Sequence, residues 1–330
     1  MIESAALRLS DPSGAAEARR FAVGLARGLG WNDVDCGQVA IVATELATNL
    51  VRYARDGVMS MTAEKLAHGG RLSLVSVDRG PGMDVSRCVQ DGYSTSGSRG
   101  TGLGAVSRLA DTLDIVSAPE GSVLTASLCR PRGVLEGARV RFGACSIAKD
   151  GETVNGDAWD YRIVGGLVGV VVCDGLGHGP YAHEASARAV EAFRRKAWRT
   201  AEEAMTALDE DLKPTRGAAA AVAVIDPLVG KVRYCGVGNI AARIVAQGRV
   251  RHLMSHNGIL GHASPRKTEL EYELPPSGML LLHTDGLQSR WRPHALDALE
   301  SRDPALVAGV LYRDYARGND DAAVVVAKRQ

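Results

Sequence analysis

The spacing of apolar residues changes character partway along the chain. Between residues 15 and 54 they recur at intervals of three and four, the period of a helix with one buried face. That spacing predicts a helix over Ala15–Leu29, stopped by Gly28 and Gly30, and a second running from an Asn32 or Asp33 cap to about Ala54. Val39, Val42, Leu46, Leu50 and Tyr53 share one face of the second helix. Arg71–Asp78 instead reads as a half-buried strand, with Leu72 and Leu74 to one side and Val75 and Val77 to the other or nearby. A loop rich in Gly and Ser over 92–104 leads to a helix through Val106, Leu109 and Leu113, and strands near Asp114–Ser117 and Val123–Leu128 follow. Beyond Arg130-Pro131-Arg132-Gly133, which breaks both kinds of element, the pattern turns strand-rich. Strands are expected near 139–147, 161–173, 218–226, 231–236, 241–246 and 278–284, with helices over Tyr181–Trp198, Ala201–Leu212 and roughly 295–311. Long strand runs around a helical pair predict a layered α+β sandwich.

The chain of 330 residues is long enough for two domains, each with its own core. We expect domains over 1–130 and 138–330, joined by a linker at 131–137. Lys+Arg 39 against Asp+Glu 38 leaves a net charge of +1, and aromatics are only 5%, so neither a nucleic acid nor an anionic membrane is an expected partner. The six cysteines are scattered without a C-x-x-C pair and read as reduced core thiols. A start without a basic, then apolar, leader and the lack of a spanning apolar run suggest a cytoplasmic protein.

Three short motifs in the first half carry chemistry. Glu45 and Asn49 are four apart on one predicted helix and so share a face, where a carboxylate and a carboxamide can hold hydrated Mg²⁺ near a phosphate. Alone, that pair would be an ordinary solvated face. Asp78 ends a strand and enters Asp78-Arg79-Gly80-Pro81-Gly82, where its carboxylate can accept a hydrogen bond from an exocyclic amine. Gly100-Thr101-Gly102-Leu103-Gly104 precedes a helix, and its backbone N–H groups can face an anion, although no Gly-Lys-Ser/Thr follows to make a Walker loop.

Together, on helix, strand end and loop-to-helix, these motifs resemble the GHKL ATPase fold. The stretches Glu45–Ala54, Asp78–Met83 and Gly100–Gly104 are most similar to the RsbT type of anti-sigma-factor serine kinase. The resemblance implies adenine on Asp78, with Gly80 and Gly82 shaping its turn, and Mg²⁺ on Asn49. It also implies phosphates against Gly100, Thr101, Gly102, Leu103 and Gly104, with Glu45 as catalytic base. No phosphoacceptor hairpin precedes these motifs, which disfavours a two-component sensor.

In the second half, Gly156-Asp157, Asp174-Gly175, Asp285-Gly286 and Asp320-Asp321 stand at predicted strand ends or loops. Any one Asp-Gly pair is an ordinary turn. Apolar strands that each deliver an Asp can instead cluster oxygen ligands around hard cations, and two ions about 3.5–4 Å apart can activate water for attack on phosphorus. Together with Gly177-His178-Gly179, Arg216-Gly217-Ala218, Tyr234–Asn239 and His283–Leu287, these pairs resemble the SpoIIE/RsbX branch of metal-dependent 2C-type serine/threonine phosphatases. The resemblance implies an αββα sandwich holding two Mn²⁺ or Mg²⁺ ions on Asp157, Asp174, the Gly175 carbonyl, Asp285 and Asp320, with Asp174 and Asp285 central to catalysis. Asp160 and Asp321 are expected in supporting positions, and His178 and the basic run Arg194-Arg195-Lys196 in solvated ones. Ala218–Ala221 and Ala322-Ala323 lack Thr residues that relatives often carry.

The expected protein both adds and removes phosphate, using ATP with Mg²⁺ in one half and a binuclear centre in the other. By resemblance its partners are STAS-domain proteins of a partner-switching or stressosome-type pathway, and homo-oligomerisation stays open. The alternative is a phosphatase alone, its first half acting as an ATP-binding partner clamp or nucleotide sensor.

Overall fold

The computed structural model describes residues 1–88, 102–135, 137–262, 266–291, 296 and 298–330. It separates into two compact units, the first made of Met1–Gly137 with Ala305–Asp314, the second of Ala138–Pro304 with Tyr315–Gln330.

In the first unit, an antiparallel five-stranded sheet has the order β1-β2-β3-β5-β4. Its strands are β1 (Ile2–Arg8), β2 (Val58–Leu66), β3 (Gly69–Val77), β4 (Thr112–Ala118) and β5 (Gly121–Arg130). Helices α1 (Pro12–Gly28), α2 (Asp33–Tyr53) and α4 (Gly102–Leu109) pack on one face, while α3 (Val85–Cys88) is a single turn. Asp11 and Asn32 cap α1 and α2 by accepting from the backbone N–H of Ser13 and Asp35, at 2.8 and 2.9 Å. Capping a helix in this way is worth about 1 kcal/mol.

The packing follows the pleat. Met59, Met61 and Ala63 of β2, Leu72 and Leu74 of β3, and Leu124, Ala126 and Leu128 of β5 face the helices. Val39, Val42, Leu46 and Leu50 of α2 meet them as the period requires, whereas Tyr53 is exposed. β3 is buried along both sides from Gly70 to Val77, not half-buried as its alternation suggested. A further described helix, α7 (Pro304–Tyr315), also belongs to this unit over Ala305–Asp314 and is buried from Pro304 to Arg313. The expected 295–311 helix is not continuous: residue 296 is helical, 298–301 form a turn, and Pro304 opens α7, while 295 and 297 lie outside the described residues. Leu113 lies in β4, not in the preceding helix.

The second unit contains two antiparallel five-stranded sheets, β13-β10-β9-β8-β7 and β12-β11-β14-β15-β6. The first comprises β7 (Asp157–Val164), β8 (Leu167–Gly175), β9 (Ala218–Asp226), β10 (Lys231–Val237) and β13 (Leu270–Glu273). The second comprises β6 (Val140–Ile147), β11 (Ala241–Ala246), β12 (Arg249–Leu253), β14 (Met279–His283) and β15 (Ala322–Arg329). Phe142 of β6 stacks on Tyr161 of β7, with ring centroids 4.2 Å apart, so the sheets face each other there. Helices α5 (Pro180–Arg195) and α6 (Ala201–Leu212) cover the other face of the first sheet through Ala185, Ala189, Phe193, Met205 and Leu208.

The apolar run expected as one strand over 161–173 is a hairpin. Gly165 and Gly166 take positive φ at its tip, which sets Asp157 opposite Asp174 across the ladder. All six cysteines are free thiols. No described helix is long and apolar enough to cross a membrane.

Candidate functional sites

Helix α2 forms one wall of the candidate nucleotide site. Glu45 and Asn49 sit on successive turns and are both half-buried. A Cβ on Gly102, the first residue of α4, would fall 2.6 Å from the Glu45 carboxylate, so the start of α4 lies against that side chain. At the far end of α2, Arg79 N–H donates to the Arg55 carbonyl at 2.9 Å, which seats the turn after β3 beside the helix terminus.

Asp78 is nearly buried, 8% exposed, and its Oδ1 accepts from Gly80 N–H at 2.6 Å. Burial holds its carboxyl above the usual carboxylate range; the Gly80 and Ser122 backbone contacts and the Arg313 charge pull the other way. Gly82 follows with positive φ, and Met83 N–H donates to Ser117 Oγ at 2.7 Å, which closes the turn. α2 thus carries Glu45 and Asn49, with Gly102 at the start of α4 against Glu45 and the Asp78–Gly80 turn against its C-terminal end at Tyr53 and Ala54; Gly82 packs instead on Ala118. Gly100 and Thr101 lie outside the described residues.

The acid-lined pocket in the second unit is assembled from strand ends. Asp157 opens β7 and Asp174 closes β8 as register partners, so both project to one face. Asp285 follows β14, and Asp320 precedes β15, its neighbour in the second sheet. A Cβ on Gly286 would fall 1.9 Å from the Asp321 carbonyl oxygen; only glycine lets the two acidic loops approach so closely. Asp174, Asp285 and Asp320 line a cavity of about 360 Å³ with Leu176, Asn239 and Asn257.

Hydrogen bonds hold the carboxylates in place. Thr284 Oγ1 donates to Asp157 Oδ2 at 2.7 Å and accepts from Ala323 N–H at 2.9 Å. Asn239 Nδ2 reaches Asp285 Oδ2 at 2.7 Å and Asp174 Oδ2 at 3.4 Å, so one amide spans two acids. Burial, followed by the Asp174 charge, raises the Asp157 carboxyl well above its ordinary range. Burial, then Asp285 and Asp320, push Asp174 up to about 7. Asp321 is also raised, chiefly by burial, and its Oδ2 is buried without a partner.

Among the described residues, no three His, Cys, Asp or Glu side chains close around a single ion. The donors present (Asp157, Asp174, the Gly175 carbonyl, Asp285 and Asp320) are all oxygens, and the raised Asp157 and Asp174 carboxyls mark a deficit of positive charge. That chemistry fits hard divalent cations.

Other expectations resolve differently. Asp160 is three positions from Asp157 on β7, so it faces the opposite side, where it pairs with Arg194 of α5. Arg195 and Lys196 both pair with Asp211 while staying open to solvent, as expected of a solvated helix face. His178 meets Glu152 through Nδ1 at 2.6 Å. Thr284 and Asn239 were not singled out as site residues, because neither residue type carries a ligand signal of its own. The Thr-Asp and Gly-Asn steps beside the strand ends were the available clue.

Comparison with known proteins matches each half separately. The family described as Stage II sporulation protein E (SpoIIE) matches residues 165–330, and the histidine kinase-like ATPase domain matches residues 9–128. The serine/threonine-protein kinase RsbT of Bacillus subtilis (strain 168) is 33% identical over 130 residues, 38% of this chain and 96% of that protein. A solved structure of the bacterial stressosome, described as a modular system adapted to control secondary messenger signalling, is 29% identical. It covers 57% of this chain and 98% of its own, with a TM-score of 0.54. RsbX solved with magnesium shares the fold at 20% identity and a TM-score of 0.53, over 59% of this chain and 98% of its own. The chain thus belongs to the SpoIIE family through its second half, a phosphatase of the 2C-type fold, and to the RsbT-type serine/threonine kinases through its first.

Proposed function

We propose that this chain is a bifunctional regulator of a partner-switching pathway. It phosphorylates Ser or Thr on STAS-domain partners with ATP, and dephosphorylates phospho-Ser or phospho-Thr in its second unit. The observation that carries this reading is the convergence of Asp174, Asp285 and Asp320 on one cavity, with Asp157 held beside Asp174 by Thr284, in a chain that also arrays Glu45, Asn49 and Asp78 around α2.

In the first unit, Asp78 accepts from the adenine amine and Asn49 orients the Mg²⁺ that accompanies ATP. Glu45 accepts the proton of the attacking hydroxyl, a role worth roughly 10²–10⁴ in rate. In the second unit, Asp157, Asp174, the Gly175 carbonyl, Asp285 and Asp320 hold two divalent cations, Mn²⁺ or Mg²⁺. Bound there, the cations supply charge neutralisation for the phosphate and an activated water. Thr284 keeps Asp157 in place, and Leu176 and Ile259 give the cavity apolar rims that suit a peptide-borne phosphate.

Full activity on one residue at once would only hydrolyse ATP, so the two activities act on different phosphosites or under reciprocal control. Phosphosite mapping on a STAS-domain partner tests this with wild type, Glu45→Ala and Asp285→Asn. Glu45→Ala should abolish phosphate gain, and Asp285→Asn should abolish phosphate loss, at separate positions. Loss and gain at the same residue, both at full rate, would sink the bifunctional reading. A second reading, a nucleotide sensor controlling the phosphatase, is favoured by one observation: Arg313 of α7 bonds to Gly121 and Arg79, the neighbours that flank Asp78.

A further inference from the structure

Helix α7 lies in sequence between Asp285 and Asp320, yet its core residues Ala305–Asp314 belong to the first unit. A Cβ on Gly309 would lie 2.7 Å from Val123 and 2.8 Å from Val75, with Val77 at 3.5 Å, so the helix backbone rests directly on β3 and β5. Val77 is the residue before Asp78. One turn further along α7, the buried Arg313 donates from Nη1 to the Gly121 carbonyl at 2.9 Å. Its own carbonyl accepts from Arg79 Nη2 at 2.9 Å. Its remaining nitrogens face Asp314, with Nε at 2.7 Å and Nη2 at 3.2 Å from the two carboxylate oxygens.

These bonds surround Asp78. The Ser122 carbonyl, one residue after Gly121, accepts from Asp78 N–H at 2.9 Å. Gly121 itself approaches so closely that a Cβ there would lie 2.0 Å from the Asp78 carbonyl oxygen. Arg313 therefore touches both flanks of Asp78: its side chain holds the Gly121 carbonyl, and its backbone carbonyl receives the Arg79 side chain. Its charge also draws the Asp78 carboxyl down against the effect of burial.

We propose that Arg313 is a positioning residue of the nucleotide site, making adenine recognition by Asp78 depend on a helix drawn from the phosphatase half of the sequence. The proposal rests on reading the first unit as an ATP site. A consequence follows from connectivity. At the end of α7, the Tyr315 carbonyl accepts from Gln288 N–H at 2.9 Å, and just beyond it Arg317 N–H donates to the Gly286 carbonyl at 2.8 Å, beside Asp285. Asp320 comes three residues later. A nucleotide that tightens the Asp78 turn around Arg313 thereby bears on both acidic loops through the helix end, and such a linkage is reciprocal.

The test uses the full chain and a fluorescent ATP analogue with Mg²⁺, competed by adenosine and by inorganic tripolyphosphate. Asp78→Asn should abolish analogue binding. Arg313→Ala should weaken the analogue and adenosine about five- to tenfold, the size of one buried hydrogen bond lost, while tripolyphosphate competes as in wild type. Arg313→Lys, which keeps a donor for the Gly121 carbonyl, should recover part of the loss. A general loosening of the fold would weaken adenosine and tripolyphosphate alike; that result, or unchanged adenosine affinity in a folded Arg313→Ala, overturns the proposal. Failure of wild type to bind the analogue overturns the ATP reading itself. Hydrogen exchange at residues 284–288 and 315–321 should slow when ADP is added at constant Mg²⁺ in wild type, and not in Arg313→Ala. No change in wild type overturns the linkage.

Discussion

The two candidate sites solve opposite electrostatic problems. Around α2 the chemistry-bearing groups are spaced out, and Asp78 carries a carboxyl raised chiefly by burial, not by a crowd of like charges. In the second unit four aspartates are gathered from different strand ends, and charge on charge adds to burial at Asp157 and Asp174. The first arrangement is one a folded chain holds at little electrostatic cost, since ATP brings its own magnesium. The second stores repulsion that bound cations relieve. Removing a charged group should therefore stabilise the metal-free second unit and leave the first nearly unchanged.

The largest expected effect follows directly. Asp285→Asn should lower phosphopeptide hydrolysis at least ~10³-fold, since a charged carboxylate ligand becomes a weaker, neutral amide. In chelator it should melt higher than wild type, because a neighbour that pushes Asp174 upward is gone. Glu45→Ala should reduce phosphate transfer from ATP by roughly 10²–10⁴ and leave the melting temperature nearly unchanged. If Asp285→Asn melts lower than wild type in chelator, the account of crowded charge fails, whatever happens to activity.

How much of this contrast could be read in advance depends on sequence distance. Glu45 and Asn49 are one helical turn apart, so a single period places them, and the Asn32 cap and the buried face of α2 were equally legible. The carboxylates were legible as strand-end Asp-Gly steps, but their pairing was not. Asp157 faces Asp174 only because 161–173 folds back at Gly165-Gly166, which an unbroken apolar run conceals. β1 is illegible because it mixes polar with small residues; β2 does alternate, Met59, Met61 and Ala63 against Ser60, Thr62 and Glu64, but Met, Ala and Glu carry little strand preference. In α7, Pro304–Leu311 has no polar face, which signals burial without saying against what. Arg313 meets Gly121 across 192 positions, beyond the reach of any local pattern.

Titration sharpens the comparison further. Asp174 keeps a proton up to about 7 in the folded chain, whereas an unfolded aspartate releases it near 3.8. Between those values the folded state binds more protons, so stability falls as pH rises across the window and the full penalty is present above it. Asp157 pushes in the same direction. In chelator the second unit should melt about 5 °C or more lower at pH 8 than at pH 5, and Mn²⁺ should raise its melting point more at pH 8. Equal stabilisation by Mn²⁺ at both pH values would mean that protons and cations do not compete for these oxygens.

A smaller effect is expected at Thr284, which is fully buried and serves Asp157 and Ala323 at once. Thr284→Val keeps the shape and removes both bonds, leaving an Asp157 oxygen and a backbone N–H without partners. The cost should be about 1–3 kcal/mol, read as a lower urea midpoint at unchanged slope. Mn²⁺ affinity should fall as well, because Asp157 is no longer held toward Asp174. Thr284→Ser, which retains the hydroxyl, should recover most of both losses.

The smallest effect should come from Asn239, and it isolates what the amide contributes when cations are absent. Its Nδ2 sits 2.7 Å from Asp285 Oδ2 and 3.4 Å from Asp174 Oδ2, a neutral donor spanning two acids, and the side chain is exposed. Exposure limits the bond to about 1 kcal/mol, equivalent to roughly 2–4 °C in a domain of this size. Asn239→Ala should lose that increment in chelator. In saturating Mn²⁺ the loss should vanish, because the cations take over the same oxygens. An equal loss with and without Mn²⁺ would mean that Asn239 braces the β10–β11 turn, and that the amide does not stand in for positive charge between the two acids.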